Sequence, residues 1–190
     1  MELEEIIRNV HQMSDEGIEM LRTILKPRHV SARSVLVRQG EVSNEVMIIK
    51  EGIARNYSLF DGKETTRWFA TPGDVIASMF SFVRGEPAMS SIKAITDMQL
   101  LVADASDIKS LITTSPEWAF WTSSYLIDGL YQLERRFQFL GEGDACTRYQ
   151  NLLKYRTQEV LNSIPLQYVA QYLNITPQTL SRLRRITTGK

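Results

Sequence analysis

Over residues 3–25 the apolar side chains fall at Leu3, Ile6, Ile7 and Val10, then at Ile18, Leu21, Ile24 and Leu25. Steps of three and four keep side chains on one face of a helix, so this pattern predicts two helices with a break near Ser14-Asp15. From Lys26 the texture changes to short β-rich runs: "SVLVRQG", "EVMIIKEG", "IARNYSLF", "ETTRWFA", "SSIKAI" and "MQLLVA". The turn pairs Gln39-Gly40, Glu51-Gly52, Asp61-Gly62 and Pro72-Gly73 separate them. Short strands at such intervals predict a sandwich or a barrel. Asp61-Gly62 between two strand-like runs is a hairpin signal, because a tight hairpin needs two residues that tolerate positive φ.

A second change comes near Asp104, where "DASDIKSLI" reads as a short helix. Ser115-Pro116 then offers a capping hydroxyl and a first-turn proline, which together start a long helix. That helix reaches Leu140 before Gly141 and Gly143 stop it. Leu126, Leu130, Leu133, Phe137 and Leu140 form a heptad-type seam along it. Such a seam packs either on a partner helix or on the barrel of its own chain. Asp144 to Leu161 reads as another amphipathic helix through Tyr149, Leu152, Leu153 and Val160. The tail reads as two more. One starts near Pro165 and buries Leu166, Val169, Ala170 and Leu173. The other follows Asn174, with Thr176 as cap, Pro177 at its first position, and Leu180 and Leu183 pointing inward. A small residue, a turn residue four later, then apolar residues six and nine beyond that is helix-turn-helix spacing. In that motif the second helix enters the major groove of DNA. Gln178, Ser181, Arg182 and Arg185 lie on its polar side, and Arg and Gln are the side chains that make two-pronged contacts to guanine and adenine. A solvated basic helix is the plainer reading of the same residues.

Charge sharpens the choice. The chain has 22 basic and 22 acidic side chains, yet from Val160 onward there is no acidic residue. Arg182, Arg184, Arg185 and Lys190 make that stretch +4, which leaves −4 on residues 1–159. A neutral protein is not coated by nucleic acid, but it can carry one local basic patch. The 190 residues suffice for one domain or two small ones, and 43% hydrophobic with 23% charged residues is ordinary for a soluble globular chain. No apolar run approaches the ~20 residues of a membrane span, and the acidic, amphipathic "MELEEIIRNV" does not read as a secretory signal. A single cysteine, Cys146, excludes an intrachain disulfide framework and a thiolate-held cluster within one chain. A cytoplasmic location and no membrane partner are the expectation.

The order helix, strands, long helix, helix pair, together with Gly40-Glu41, "IIKEGIAR", Pro72-Gly73-Asp74 and "YVAQYLNITPQTLSRLRR", resembles the cyclic-AMP receptor/fumarate-nitrate regulator (Crp/Fnr) family of transcription factors. The resemblance implies an α+β fold. Residues 1–114 would form a double-stranded β-helix of the cyclic-nucleotide-binding type, a jelly-roll barrel with flanking helices that serves as a sensor. Residues 115–141 would be a dimerisation helix and 142–190 a helix-turn-helix DNA-binding domain. It implies a homodimer on an inverted repeat of double-stranded DNA, with RNA polymerase as a candidate partner. The family's base-reading positions fall on Pro177, Gln178 and Arg182, with Ser181 beside them. Phosphate contacts fall on Gln167, Thr176 and Thr179, with Arg184 and Arg185 further along the helix. Two departures stand out. Pro177 has no side-chain donor, and the sequence given stops five residues past Arg185, so a domain lacking the family's two-stranded wing is expected.

In this family the barrel often grips a cyclic nucleotide through a Gly-Glu pair and an Arg-Ser or Arg-Thr pair, since a phosphate needs a guanidinium fork and the ribose a carboxylate. Here "PGDVIASMFSFVRGEPAMSSIKA" puts Ala77-Ser78 and Ala88-Met89 at those places, with Arg84, Ser90 and Ser91 out of register. Ala77, Ser78, Met79, Ala88, Met89 and Ser90 are therefore candidates for an effector pocket of other chemistry. Cyclic AMP is not expected to bind, and no cofactor is expected. The Met and Phe residues of this segment can equally be core. His11 and His29 give a haem no support. Residues 30–103 hold no histidine, so the metal-dependent enzymes built on such barrels are excluded and no catalytic residue is assigned. The rival reading is a ligand-binding or protein-interaction module whose tail no longer reads DNA.

Overall fold

The computed structural model describes residues 1–141, 143–155 and 158–187. Two helices, α1 (Leu3–Val10) and α2 (Asp15–Ile24), open the chain. The predicted break lies between them, where the Ser14 hydroxyl accepts from the Gly17 amide at 3.0 Å. The strands follow: β1 (Lys26–Val30), β2 (Val35–Val37), β3 (Glu45–Glu51), β4 (Ala54–Phe60), β5 (Lys63–Ala70), β6 (Val75–Ile76), β7 (Ser91–Ala94) and β8 (Met98–Asp104), with α3 (Met79–Arg84) before β7. They form two four-stranded sheets, ordered β1-β8-β3-β6 and β2-β7-β4-β5. The expected hairpin joins β4 to β5, with Asp61 and Gly62 at φ 48° and 74°. The pattern of apolar positions does not announce β1. Its Lys-Pro-Arg-His run is exposed, and Pro27 is tolerated because β1 is an edge strand pairing only with β8.

Three apolar clusters hold these layers. Met47 and Ile49 of β3 face Ala54, Ile92, Leu100 and Val102 between the sheets. Ile48, on the opposite face of β3, packs on Ile7, Leu21, Leu111, Trp118 and Trp121. Because β3 is covered on both faces, "VMII" reads as a continuous run rather than an alternation. The third cluster joins Ile53 and Phe69, on the outer face of the second sheet, to the helices of the C-terminal segment.

After β8 come α4 (Ala105–Thr114) and α5 (Pro116–Gly141). The first part of α5 is anchored. Trp118 Nε1 donates to the Gly17 carbonyl at 2.9 Å and Trp121 Nε1 to that of Ile7 at 2.8 Å. Trp121 stacks on Tyr125 at 5.2 Å, and the Tyr125 hydroxyl donates to the Val75 carbonyl and accepts from its amide, both at 3.1 Å. The second part carries the seam, and it does not lie on the barrel of its own chain. Leu126, Leu130, Leu133 and Phe137 are 49%, 65%, 48% and 73% exposed; the Leu140 side chain lies outside the described residues. The chain closes with α6 (Ala145–Tyr155), α7 (Gln158–Asn162), α8 (Leu166–Tyr172) and α9 (Pro177–Thr187). The helix expected over Asp144–Leu161 is thus described as two segments, α6 and α7, with residues 156–157 outside the described set. No described helix is long and apolar enough to cross a membrane.

Candidate functional site

The turn between α8 and α9 is closed from both sides. Asn174 takes the left-handed conformation, φ 53°. The Asn174 amide donates to the Gln171 carbonyl at 3.1 Å and the Ile175 amide to that of Ala170 at 3.0 Å, the paired bonds of a Schellman end. Thr176 then caps α9, accepting from the Thr179 amide at 3.1 Å, with Pro177 first in the helix. The Thr179 hydroxyl lies 2.9 Å from that of Thr176. Below the turn, Val169, Ala170, Leu173, Leu180 and Leu183 are buried as the sequence predicts, and Leu166 is half-buried. Arg148 of α6, which no sequence pattern marks, also braces the turn: its Nε donates to the Leu173 carbonyl at 3.1 Å.

The outer surface of this unit collects most of the residues singled out above. Pro177, Gln178, Arg182 and Arg185 are exposed, and the last three sit at intervals of four and three on one stripe of α9. Ser181 and Thr179 are half-buried beside them, and Thr176 and Gln167 are exposed at the first turns of α9 and α8. Arg184 does not join them. It stands four residues after Leu180, next to the buried face, and its Nη2 donates to the Leu161 carbonyl at 3.1 Å. That inward engagement sets it apart from the exposed stripe. Lys190 lies outside the described residues.

A network that the sequence reading missed fixes this unit to the barrel. Arg55 of β4 is 1% exposed. Its guanidinium pairs with Glu64 and donates to Thr66 Oγ1 at 3.2 Å and Gln171 Oε1 at 3.4 Å. It lies 3.6 Å from the Tyr168 ring centroid and 4.3 Å from that of Tyr57, while its Nε has no partner. Thr66 Oγ1 also donates to Gln171 Oε1, at 2.8 Å. Nearby, the Arg136 guanidinium rests 4.8 Å from the Tyr172 centroid, and burial pushes its pKa below the ordinary arginine value.

The effector candidates surround α3. Ser78 is buried, and its hydroxyl caps α3 by accepting from the Ser81 amide at 3.3 Å. Ala88 is buried, with its amide and carbonyl bonded to Glu41 and Gly40. Ser90 accepts from Asn56 Nδ2 at 2.7 Å, and Ala77 is half-buried. Met79, Phe80 and Met89 are 50%, 47% and 62% exposed, so they are not core. Arg84 is exposed. None of the six candidates brings a charged group to this segment.

Residues 27–115 match the family described as the cyclic nucleotide-binding domain. A cyclic nucleotide-gated potassium channel of Rhizobium etli is 31% identical over 106 residues, which cover 54% of this chain but 27% of the channel. Among solved structures, the c-di-GMP-responsive global regulator CLP of Xanthomonas campestris superposes with a TM-score of 0.73 at 15% identity, covering 93% of this chain and 92% of that one. FixK2 of Bradyrhizobium japonicum gives 0.73 at 19% identity, covering 87% and 86%. Residues 27–115 are therefore similar to a cyclic nucleotide-binding domain, and most of the chain shares its fold with CLP and FixK2, solved structures of Crp/Fnr-family transcription regulators.

Proposed function

We propose that the chain is a dimeric, sequence-specific DNA-binding transcription regulator of the Crp/Fnr type that is not controlled by cyclic AMP. The observation that carries this reading is the exposed stripe Gln178-Arg182-Arg185 on α9, set behind a doubly closed turn in a stretch with no carboxylate. Arg182 and Gln178 read base edges and Arg185 meets the phosphate backbone, with Thr176, Thr179 and Gln167 as further phosphate contacts. Two copies joined along Leu126, Leu130, Leu133 and Phe137 present two such helices to an inverted repeat, half-sites about one helical turn apart. The absence of a guanidinium at Ala88-Met89 and of a carboxylate at Ala77-Ser78 supports the barrel part of the reading. The test is genome-wide mapping of bound DNA in the native host, followed by titration of the recovered sequence at two salt concentrations with and without millimolar cyclic AMP. A symmetric motif, salt-dependent affinity and no response to the nucleotide are expected. The channel relative, which matches over about half of this chain, favours a second reading, a ligand-binding or interaction module. Binding to no duplex at either salt would select it.

A further inference from the structure

A groove of about 520 Å³ runs between α2 and α4, on the barrel's helical side. Both walls are helical stripes. Glu16, Glu19 and Met20 line it from α2, and Asp107 and Leu111 from α4, at the three- and four-residue steps that keep side chains in one row. Leu111 forms a buried floor, while Met20 is 43% exposed above it. Three carboxylates rim the groove and no lysine or arginine lines it. The nearby cations are already engaged, one of them with Glu19 of the rim itself. Arg22 pairs with Glu4 and with Glu19, and Lys109 of α4 turns to the Phe82 ring, 5.2 Å from its centroid. Among the described residues, neither Glu16 nor Asp107 forms a salt bridge.

An apolar floor between two helices, spaced in turns, fits the ridge of a third helix. An acidic rim repels nucleic acid phosphate and attracts lysine or arginine on the flanks of that helix. We propose that the α2–α4 groove is a docking site for a basic amphipathic helix of a partner protein. The site is separate from the DNA-reading stripe and stands whether or not that reading holds.

The probe is a labelled helical peptide with leucines at i, i+3, i+4 and i+7 and lysines beside them, followed by fluorescence polarisation on the full chain. Saturable, salt-sensitive binding is expected. Glu16→Lys with Asp107→Lys should weaken it at least about tenfold, while Glu51→Lys with Glu86→Lys, neither of which lines the groove, should change it less than about twofold. A second peptide with glutamates in place of lysines should bind the Glu16→Lys, Asp107→Lys protein better than wild type. Met20→Ser, which keeps every charge, should weaken both peptides. Equal losses in the groove and control pairs, or no saturation on wild type, overturn the proposal. So does a change of sedimentation in the groove variants alone, which would make the face a contact between copies of this chain.

Discussion

Arg55 and Glu64 form an ion pair whose two halves should not be equivalent. Arg55 is 1% exposed, whereas the Glu64 side chain is 37% exposed and can turn to water. In Arg55→Met, Glu64 is hydrated and the 2.8 Å bond between Thr66 and Gln171 survives. The ring contacts with Tyr57 and Tyr168 lose their ionic component, about 0.5–2 kcal/mol. Against that stands relief from burying a guanidinium with an unpartnered Nε, worth several kcal/mol. Methionine fills much of the same volume, so the net change should lie within about 1.5 kcal/mol of zero. In Glu64→Ala the guanidinium stays buried with only neutral acceptors. Breaking a fully buried pair this way costs about 3–5 kcal/mol. Because Glu64 is partly exposed, water reaches the vacated side and about 2–3 kcal/mol is the reasonable figure. Urea unfolding of both variants, followed by tryptophan fluorescence and circular dichroism, gives the two differences from the midpoints. If Arg55→Met proves the more damaging, the pair is a net stabiliser and the desolvation reasoning fails.

Leu130→Asp with Leu133→Asp places two charges in the exposed seam of α5. Sedimentation should then show monomers, and a well-folded dimer would sink the seam assignment. Arg182→Ala should cost about 1–3 kcal/mol at one base position of the mapped site and relax specificity there, read by titrating single-base variants. Arg185→Ala should instead weaken every sequence and lower the salt slope by about one; an equal loss on all variants for Arg182→Ala would make it a backbone contact too. Burial, above all, pushes the Tyr125 phenol up to about 12; Asp74 and Asp128 add to the rise, and the bond with Val75 opposes it. An unfolded tyrosine loses its proton near pH 10, so between about pH 10 and 12 the folded state holds more protons and stability falls as pH rises. That slope should be shallower in Tyr125→Phe, as measured by denaturant midpoints across the window.

What the sequence made legible is what local physics decides. Asn174, Thr176 and Pro177 announce the α8–α9 turn because each satisfies a backbone need within a few residues. Asp61-Gly62 does the same for the β4–β5 hairpin. The seam of α5 is legible as a seam, but that it stands off the barrel of its own chain is visible only in the exposure of Leu130 and Phe137. What stayed hidden depends on distant partners. β1 is held by its pairing with β8 and carries no apolar alternation. Arg184 reads as one more basic residue until the Leu161 carbonyl claims it. Arg55 meets Gln171 across 116 residues of chain, and the only hint is the row Tyr168, Gln171, Tyr172 on α8, an unusually polar face for a helix that packs on a sheet.

Ile48, Ile49 and Ile53 lie within six consecutive residues, yet each belongs to a different cluster: the helical side, the space between the sheets, and the C-terminal unit. Gly52, at φ 94°, makes the turn between them, and a Cβ there would sit 2.4 Å from the Asp97 carbonyl. The passage from β3 in one sheet to β4 in the other is therefore the common wall of three compartments. Cooperativity follows from shared walls rather than from position along the chain. A shift of β3 against β4 cannot be confined to one compartment, and energy delivered to any of them is felt first at that turn.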